Sequence, residues 1–260
     1  MADKMKLGIS SQSYDRAITS GRIDLFGLFR MGKELRLDGL EIEDKHFAST
    51  EPAYLEEVKA KAGEADLEII DVAFSNDYGQ ASQEAREEAF AKFAKWINIS
   101  KELGLSFMRT FAGWPASADQ SLWQQMIKYL KRSCALANDA GVLIALENHN
   151  HGGFAKDATS TLDIFKQVNA ENMKLCLDTG NYIDGIVSIE RTVHLAIHVH
   201  AKYKELDRAG NETSIDYKTI FGLLRDVNYA GCISVEYEGT EEEFDVVPRA
   251  VERMRKYVNE

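Results

Sequence analysis

Gly141-Val142-Leu143-Ile144-Ala145-Leu146-Glu147 is the stretch whose reading decides the fold. Before it, Leu122, Met126, Leu130, Cys134 and Ala137 recur at helical spacing, so one apolar stripe runs along a helix. Gly141 supplies the left-handed residue that ends such a helix. Five apolar residues follow, too few for a second helix and right for a strand buried on both faces. The run then stops on a carboxylate. Burying a charge at the end of a buried strand is costly unless something there needs it.

The same pattern repeats on both sides. Strand-like runs occur at 6–12, 39–43, 68–74, 106–111, 142–147, 174–178, 196–200 and 232–236, separated by helix-length stretches. Ala85, Ala89, Phe93 and Ile97 outline another helix face, Gly104 another stop, and Pro52 a helix first turn. Between strands six and seven, 182–195 leaves room for only a short helix. Eight strands alternating with eight helices predict an α/β protein, a closed (β/α)8 barrel forming one domain over residues 1–260. The rival is an open doubly wound sheet, which usually carries a glycine-rich phosphate turn after its first strand. Here that turn reads Gly8-Ile-Ser-Ser-Gln-Ser-Tyr14, without the glycines.

Composition narrows the function. Thirty-one Lys and Arg against 42 Asp and Glu give a net charge of −11, which argues against a nucleic-acid partner. No run is long enough to span a membrane, and the charged start has no signal-peptide core. Cys134, Cys176 and Cys232 form no CxxC pair and read as buried free thiols in a reducing, cytoplasmic setting.

Three other runs end as the fifth does. Asp178 closes the sixth, His200 the seventh and Glu236 the eighth. In a parallel barrel the C-terminal strand ends share one mouth. Three carboxylates and an imidazole there make a hard, oxygen-rich donor set. It suits Mn²⁺ first, with Mg²⁺, Co²⁺ or Zn²⁺ as alternatives.

With these residues in view, the chain resembles the xylose-isomerase-like TIM barrels, in particular the sugar phosphate isomerase/epimerase branch. The matching pieces are Gly39-Leu-Glu-Ile-Glu43, Glu147-Asn-His149, Asp178-Thr-Gly-Asn181, His198-Val-His-Ala-Lys202 and Val235-Glu-Tyr-Glu238. The resemblance implies that Glu147, Asp178, His200 and Glu236 bind one divalent metal. It also implies that Glu147 and Glu236 act as the acid/base pair, moving a proton next to a carbonyl through a metal-stabilised enediolate. The implied activity is isomerisation or epimerisation of a small carbohydrate: a sugar, sugar phosphate or polyol ketone. The same site could instead eliminate water or a leaving group from a keto-acid or oxidised sugar, as a dehydratase or lyase. A dimer or tetramer is implied as well. One departure is Asn181, where ketose epimerases of the branch often carry His; an amide orients a hydroxyl but shuttles no proton. Abasic-site endonucleases share the barrel but need extra histidines on early strands, and His46 is the only histidine before His149.

Further candidates for substrate contact are His149, Asn181, Lys202, Arg109, Glu43 and Trp114. Arg109 has an equally good reading as the ion-pair partner of Glu43 or Glu147, because a buried Arg is rarely unpaired. Glu41 and Glu43 share one strand face, and one of them would orient substrate or a ligand. His198 reads as support for His200, His194 as structural, His151 as a loop residue and His46 as a surface residue. Glu241-Glu-Glu243 reads as the solvated first turn of the last helix. No glycine-rich phosphate cradle is evident, so a free sugar fits at least as well as a sugar phosphate.

Overall fold

The computed structural model describes residues 4–117, 119–149 and 152–260; His151 and the first three residues lie outside them. The strands are β1 (Lys6–Ser10), β2 (Gly39–Glu43), β3 (Glu68–Ala73), β4 (Phe107–Thr110), β5 (Leu143–Glu147), β6 (Met173–Asp178), β7 (Ala196–Tyr203) and β8 (Cys232–Tyr237). They follow one another in chain order around a closed parallel barrel. The helices are α1 (Asp15–Thr19), α2 (Leu25–Glu34), α3 (Pro52–Ala65), α4 (Gln83–Glu102), α5 (Gln120–Ala140), α6 (Ala158–Val168), α7 (Ile186–Thr192), α8 (Tyr217–Asp226) and α9 (Glu243–Asn259). The sequence reading of eight helices misses α1, one turn wedged between β1 and α2. With five residues it is too short to show a periodic apolar stripe.

Packing divides the chain into two compact units, Met1–Asp71 with His198–Glu260, and Val72–Ile197. In the first, β1 pairs with β2 through Gly8↔Gly39 and Ser10↔Glu41, and with β8 through Lys6↔Cys232 and Ile9↔Val235. Gly39 is there because space is short: a Cβ would sit 2.6 Å from the Glu68 carbonyl oxygen. β7 pairs with β8 through His200↔Ser234 and Lys202↔Glu236. On the outside α9 buries Val246, Val247, Ala250, Val251, Met254 and Val258 as one stripe.

Two expectations fail in this unit. His46 is buried rather than on the surface. Its Nδ1 is 2.8 Å from Ser11 Oγ and its Nε2 3.0 Å from Asp15 Oδ1, which ties the turns after β1 and β2 together. Nor is Glu243 solvated. Its carboxylate accepts the backbone N–H groups of Arg16 and Ala17 at 3.0 and 2.9 Å, satisfying the exposed donors of the first turn of α1. Of the acidic run only Glu243 opens α9, while Glu241 and Glu242 precede it.

In the second unit β4, β5 and β6 pair in register through Arg109↔Ala145 and Glu147↔Cys176. α5 buries Leu122, Met126, Leu130, Cys134 and Ala137, the stripe read from sequence. Emptying one such position, for example Met126→Ala, would cost about 2–5 kcal/mol. α5 ends on Gly141 at φ 75°, a left-handed cap. On α4 the face is rotated from the expected one: Phe93, Trp96, Ile97 and Ser100 are buried, while Ala85 and Ala89 are half-buried. α7 has seven residues, as the short stretch before β7 requires. The three cysteines are free and buried, and burial pushes the Cys134 thiol up to about 12. Among the described residues no helix is long and apolar enough to cross a membrane.

Candidate functional site

Each unit carries its own share of buried charge near strand C-terminal ends. In the first, β7 does not stop at His200 as its apolar run suggests. It continues to Tyr203, so His200 is inside the strand and Lys202 lies within it too. His198, His200 and Lys202 share one face by the two-residue period, and all three are buried. Opposite Lys202 in the ladder is Glu236, the penultimate residue of β8. The Lys202 ammonium donates to Glu236 and, at 2.9 Å, pairs with Glu238 Oε1. His200 Nδ1 lies 3.5 Å from Glu236 Oε2. Burial alone would raise the Glu236 carboxyl, but the neighbouring Lys202 ammonium and the His200 ring hold it well below the usual carboxylate range.

β2 adds what the sequence left undecided between two glutamates. Glu41 Oε2 is 2.8 Å from His198 Nε2 and 2.7 Å from His200 Nε2. Burial opposes its charge, yet the two imidazoles outweigh that and hold its carboxyl far below the ordinary value. Glu43, the last residue of β2, is buried, and its backbone N–H donates to Ser11 Oγ at 2.8 Å.

Donor atoms of Glu41, His200 and Glu236 lie within 4.8 Å of one another, as do those of Glu41, Asp71 and His198. Glu41 Oε1 is buried without a hydrogen-bond partner. A buried orphan carboxylate oxygen within such a group fits a bound divalent cation.

In the second unit Glu147 is the last residue of β5 and Asp178 the last of β6. Glu147 Oε2 pairs with Arg109 Nε at 3.1 Å, and its Oε1 accepts from Asn181 Nδ2 at 3.1 Å. Arg109 makes the ion pair with Glu147 read from sequence, and its guanidinium also lies 4.4 Å from the centre of the Phe111 ring. Asp178 Oδ1 accepts the Gly180 backbone N–H at 2.7 Å. Asn148 was not read from sequence. Its Oδ1 accepts the Asp178 backbone N–H at 2.8 Å, and its Nδ2 donates to the Asp178 carbonyl at 2.9 Å. That side chain completes the ladder one step past the end of β5. The signal was available: a buried amide beside a strand end must satisfy two donors and an acceptor, and a neighbouring backbone offers one of each. His149 sets its ring edge-on to Trp114 and Phe111, with centroids 5.0 and 5.2 Å apart, so Trp114 packs against its neighbours.

Six candidates are thus gathered within the units, His200 with Glu236 and Lys202, and Glu147 with Arg109 and Asn181. Trp114 and His149 join them through the Phe111 ring, which lies against both and against Arg109.

Comparison with known proteins gives consistent results. Residues 29–257 match the family model described as xylose isomerase-like TIM barrel. An inosose dehydratase of Clostridium perfringens is 25% identical over 85% of this chain and 84% of its own length. A D-psicose 3-epimerase of Clostridium cellulolyticum superposes with a TM-score of 0.82 at 20% identity, covering 98% of this chain and all of the other. A 3-keto-D-glucoside 4-epimerase of E. coli superposes at 0.78 with 19% identity, again over 98% of this chain and 100% of its own.

Proposed function

Because the chain belongs to the xylose isomerase-like TIM barrel family, we propose that it is a divalent-metal-dependent enzyme moving a proton next to the carbonyl of a small carbohydrate or polyol ketone. The observation that carries this reading is the buried donor group of Glu41, His200 and Glu236, in which His200 Nδ1 and Glu236 Oε2 lie 3.5 Å apart. Glu147, Asp178, His200 and Glu236 would hold the ion, since parallel barrel strands present their C-terminal ends at one rim. Manganese is the first choice for this oxygen-rich set. When bound, the ion would supply Lewis acidity to a carbonyl and an adjacent hydroxyl.

The acid/base work falls to Glu147 and Glu236. Arg109 and Asn181 engage both oxygens of Glu147, which fixes its direction as a base. Glu236 sits against Lys202, whose ammonium can return a proton through the carboxylate or steady an oxyanion. Isomerisation or epimerisation follows when the proton comes back to carbon.

Dehydration is the second reading, favoured by the inosose dehydratases among the relatives. Proton abstraction would be the same, and the next step would expel a β-hydroxyl instead of reprotonating carbon. The test is turnover in D₂O with Mn²⁺ against ketoses, aldoses, sugar phosphates and inosose-like polyols. Deuterium appearing on carbon without net loss of water supports isomerisation. An ultraviolet-absorbing enone supports dehydration. No exchange and no elimination with any of them would overturn the reading.

A further inference from the structure

His198 and His200 aim the same ring nitrogen, Nε2, at the same atom, Glu41 Oε2. A carboxylate oxygen only accepts hydrogen bonds, so each Nε2 has to carry its hydrogen. In neutral His200 the lone pair is then on Nδ1, the nitrogen that faces Glu236 Oε2. Only an unprotonated ring nitrogen can ligate a cation. The opposite tautomer would set a lone pair against a carboxylate oxygen at 2.7 Å, in a buried place where no solvent relieves the repulsion.

We propose that Glu41 is a positioning residue that locks His200 as the Nε2–H tautomer and turns Nδ1 toward a divalent cation. The proposal rests on the metal-dependent reading given above. His198 has a share in it: by giving a second hydrogen bond to the same oxygen, it holds that oxygen against His200 and leaves Glu41 Oε1 without a hydrogen-bond partner. The register supports this rigidity, because Glu41 is paired through β1 at Ser10 and lies in the interior of β2. Backbone hydrogen bonding, not loop conformation, sets where the carboxylate stands. A glutamine here would keep the shape but not the function. Its amide can present either the carbonyl oxygen, an uncharged and weaker acceptor for both imidazoles, or, turned over, the NH2 group, which makes each ring offer a lone pair from Nε2.

The experiment uses the full chain, metal-free, with ¹⁵N-labelled histidine. Imidazole ¹⁵N–¹H correlation reads the tautomers, His200→Gln assigns the signal, and calorimetric titration with Mn²⁺ reads affinity. We expect a single Nε2–H tautomer for His200 in the unaltered protein. Glu41→Gln should give a mixture and bind Mn²⁺ about 10–100-fold more weakly, with Glu41→Asp recovering part of the loss. Circular dichroism checks that the variants fold. If folded Glu41→Gln keeps both the single tautomer and the Mn²⁺ affinity, the proposal is overturned. If the unaltered protein takes up no divalent cation yet Glu41→Gln still mixes the tautomers, the metal reading falls and the role of Glu41 in fixing the tautomer stands.

Discussion

The β4–β5–β6 region and the β7–β8 region both bury carboxylates, but they balance them in different ways. Within their own unit, Glu147 meets a guanidinium and a side-chain amide and Asp178 a backbone N–H, partners that hold their protonation state across the ordinary pH range. Around Glu236 and Glu41 the partners can change their protonation, being two imidazoles and an ammonium. One region sets its carboxylates against donors with fixed hydrogens. The other is built so that a hydrogen can be placed, moved or withheld.

The largest expected effect tests whether both regions take part in the chemistry. Glu147→Gln and Glu236→Gln should each lower kcat/KM by about 10²–10⁴ on whichever carbohydrate is turned over. If only one of them does so, the division of labour is wrong. Next comes the ion. Saturating Mn²⁺ at 100 times its dissociation constant should stabilise the protein by about 2.7 kcal/mol, seen as a rise in Tm that chelator reverses. His200→Ala should abolish that rise, whereas Trp114→Ala should leave it.

Breaking the fixed region one level down, Asn148→Ala should cost about 1–3 kcal/mol in denaturant unfolding. It removes two hydrogen bonds to the Asp178 backbone and leaves buried groups unpaired. A loss in stability with unchanged Mn²⁺ affinity would show that Asn148 does not aim Asp178. The smallest effect concerns pH. Burial chiefly depresses the pKa of His46, with Lys45 adding to it and Asp15 opposing. A depressed folded-state value contributes stability that is fully present above the unfolded pKa of about 6.5 and is lost as pH falls through the folded value. Unfolding free energy measured between pH 7.5 and 5 should therefore fall less in His46→Gln than in the unaltered chain.

The barrel was legible because its signals are local. Gly141, Gly104 and Pro52 punctuate helices, and eight apolar runs fall at helix-length intervals. Glu147 and Asp178 stood out as carboxylates that end buried strands, and they do end β5 and β6. Where β7 stops was hidden. After His200 its residues are Ala, Lys and Tyr, and a buried lysine reads as a strand terminus until Glu236 and Glu238 are seen beside it. Glu41 and Glu43 could not be told apart, since a two-residue period gives them the same face. Their difference comes from partners more than 150 positions away on β7 for one and from the turn after β1 for the other. His46 reads as a surface residue for the same reason: its partners, Ser11 and Asp15, come from another turn.

The pairing of β1 with β8 has a consequence for how the chain is made. Translation delivers Lys6–Ser10 well before Cys232–Tyr237. Until then one edge of β1 has unmatched amides and carbonyls, an invitation to foreign strands. The unit that holds Glu41 and His200 can mature only after residues 198–260 have emerged, whereas residues 72–197 emerge as an unbroken stretch and can compact while synthesis continues.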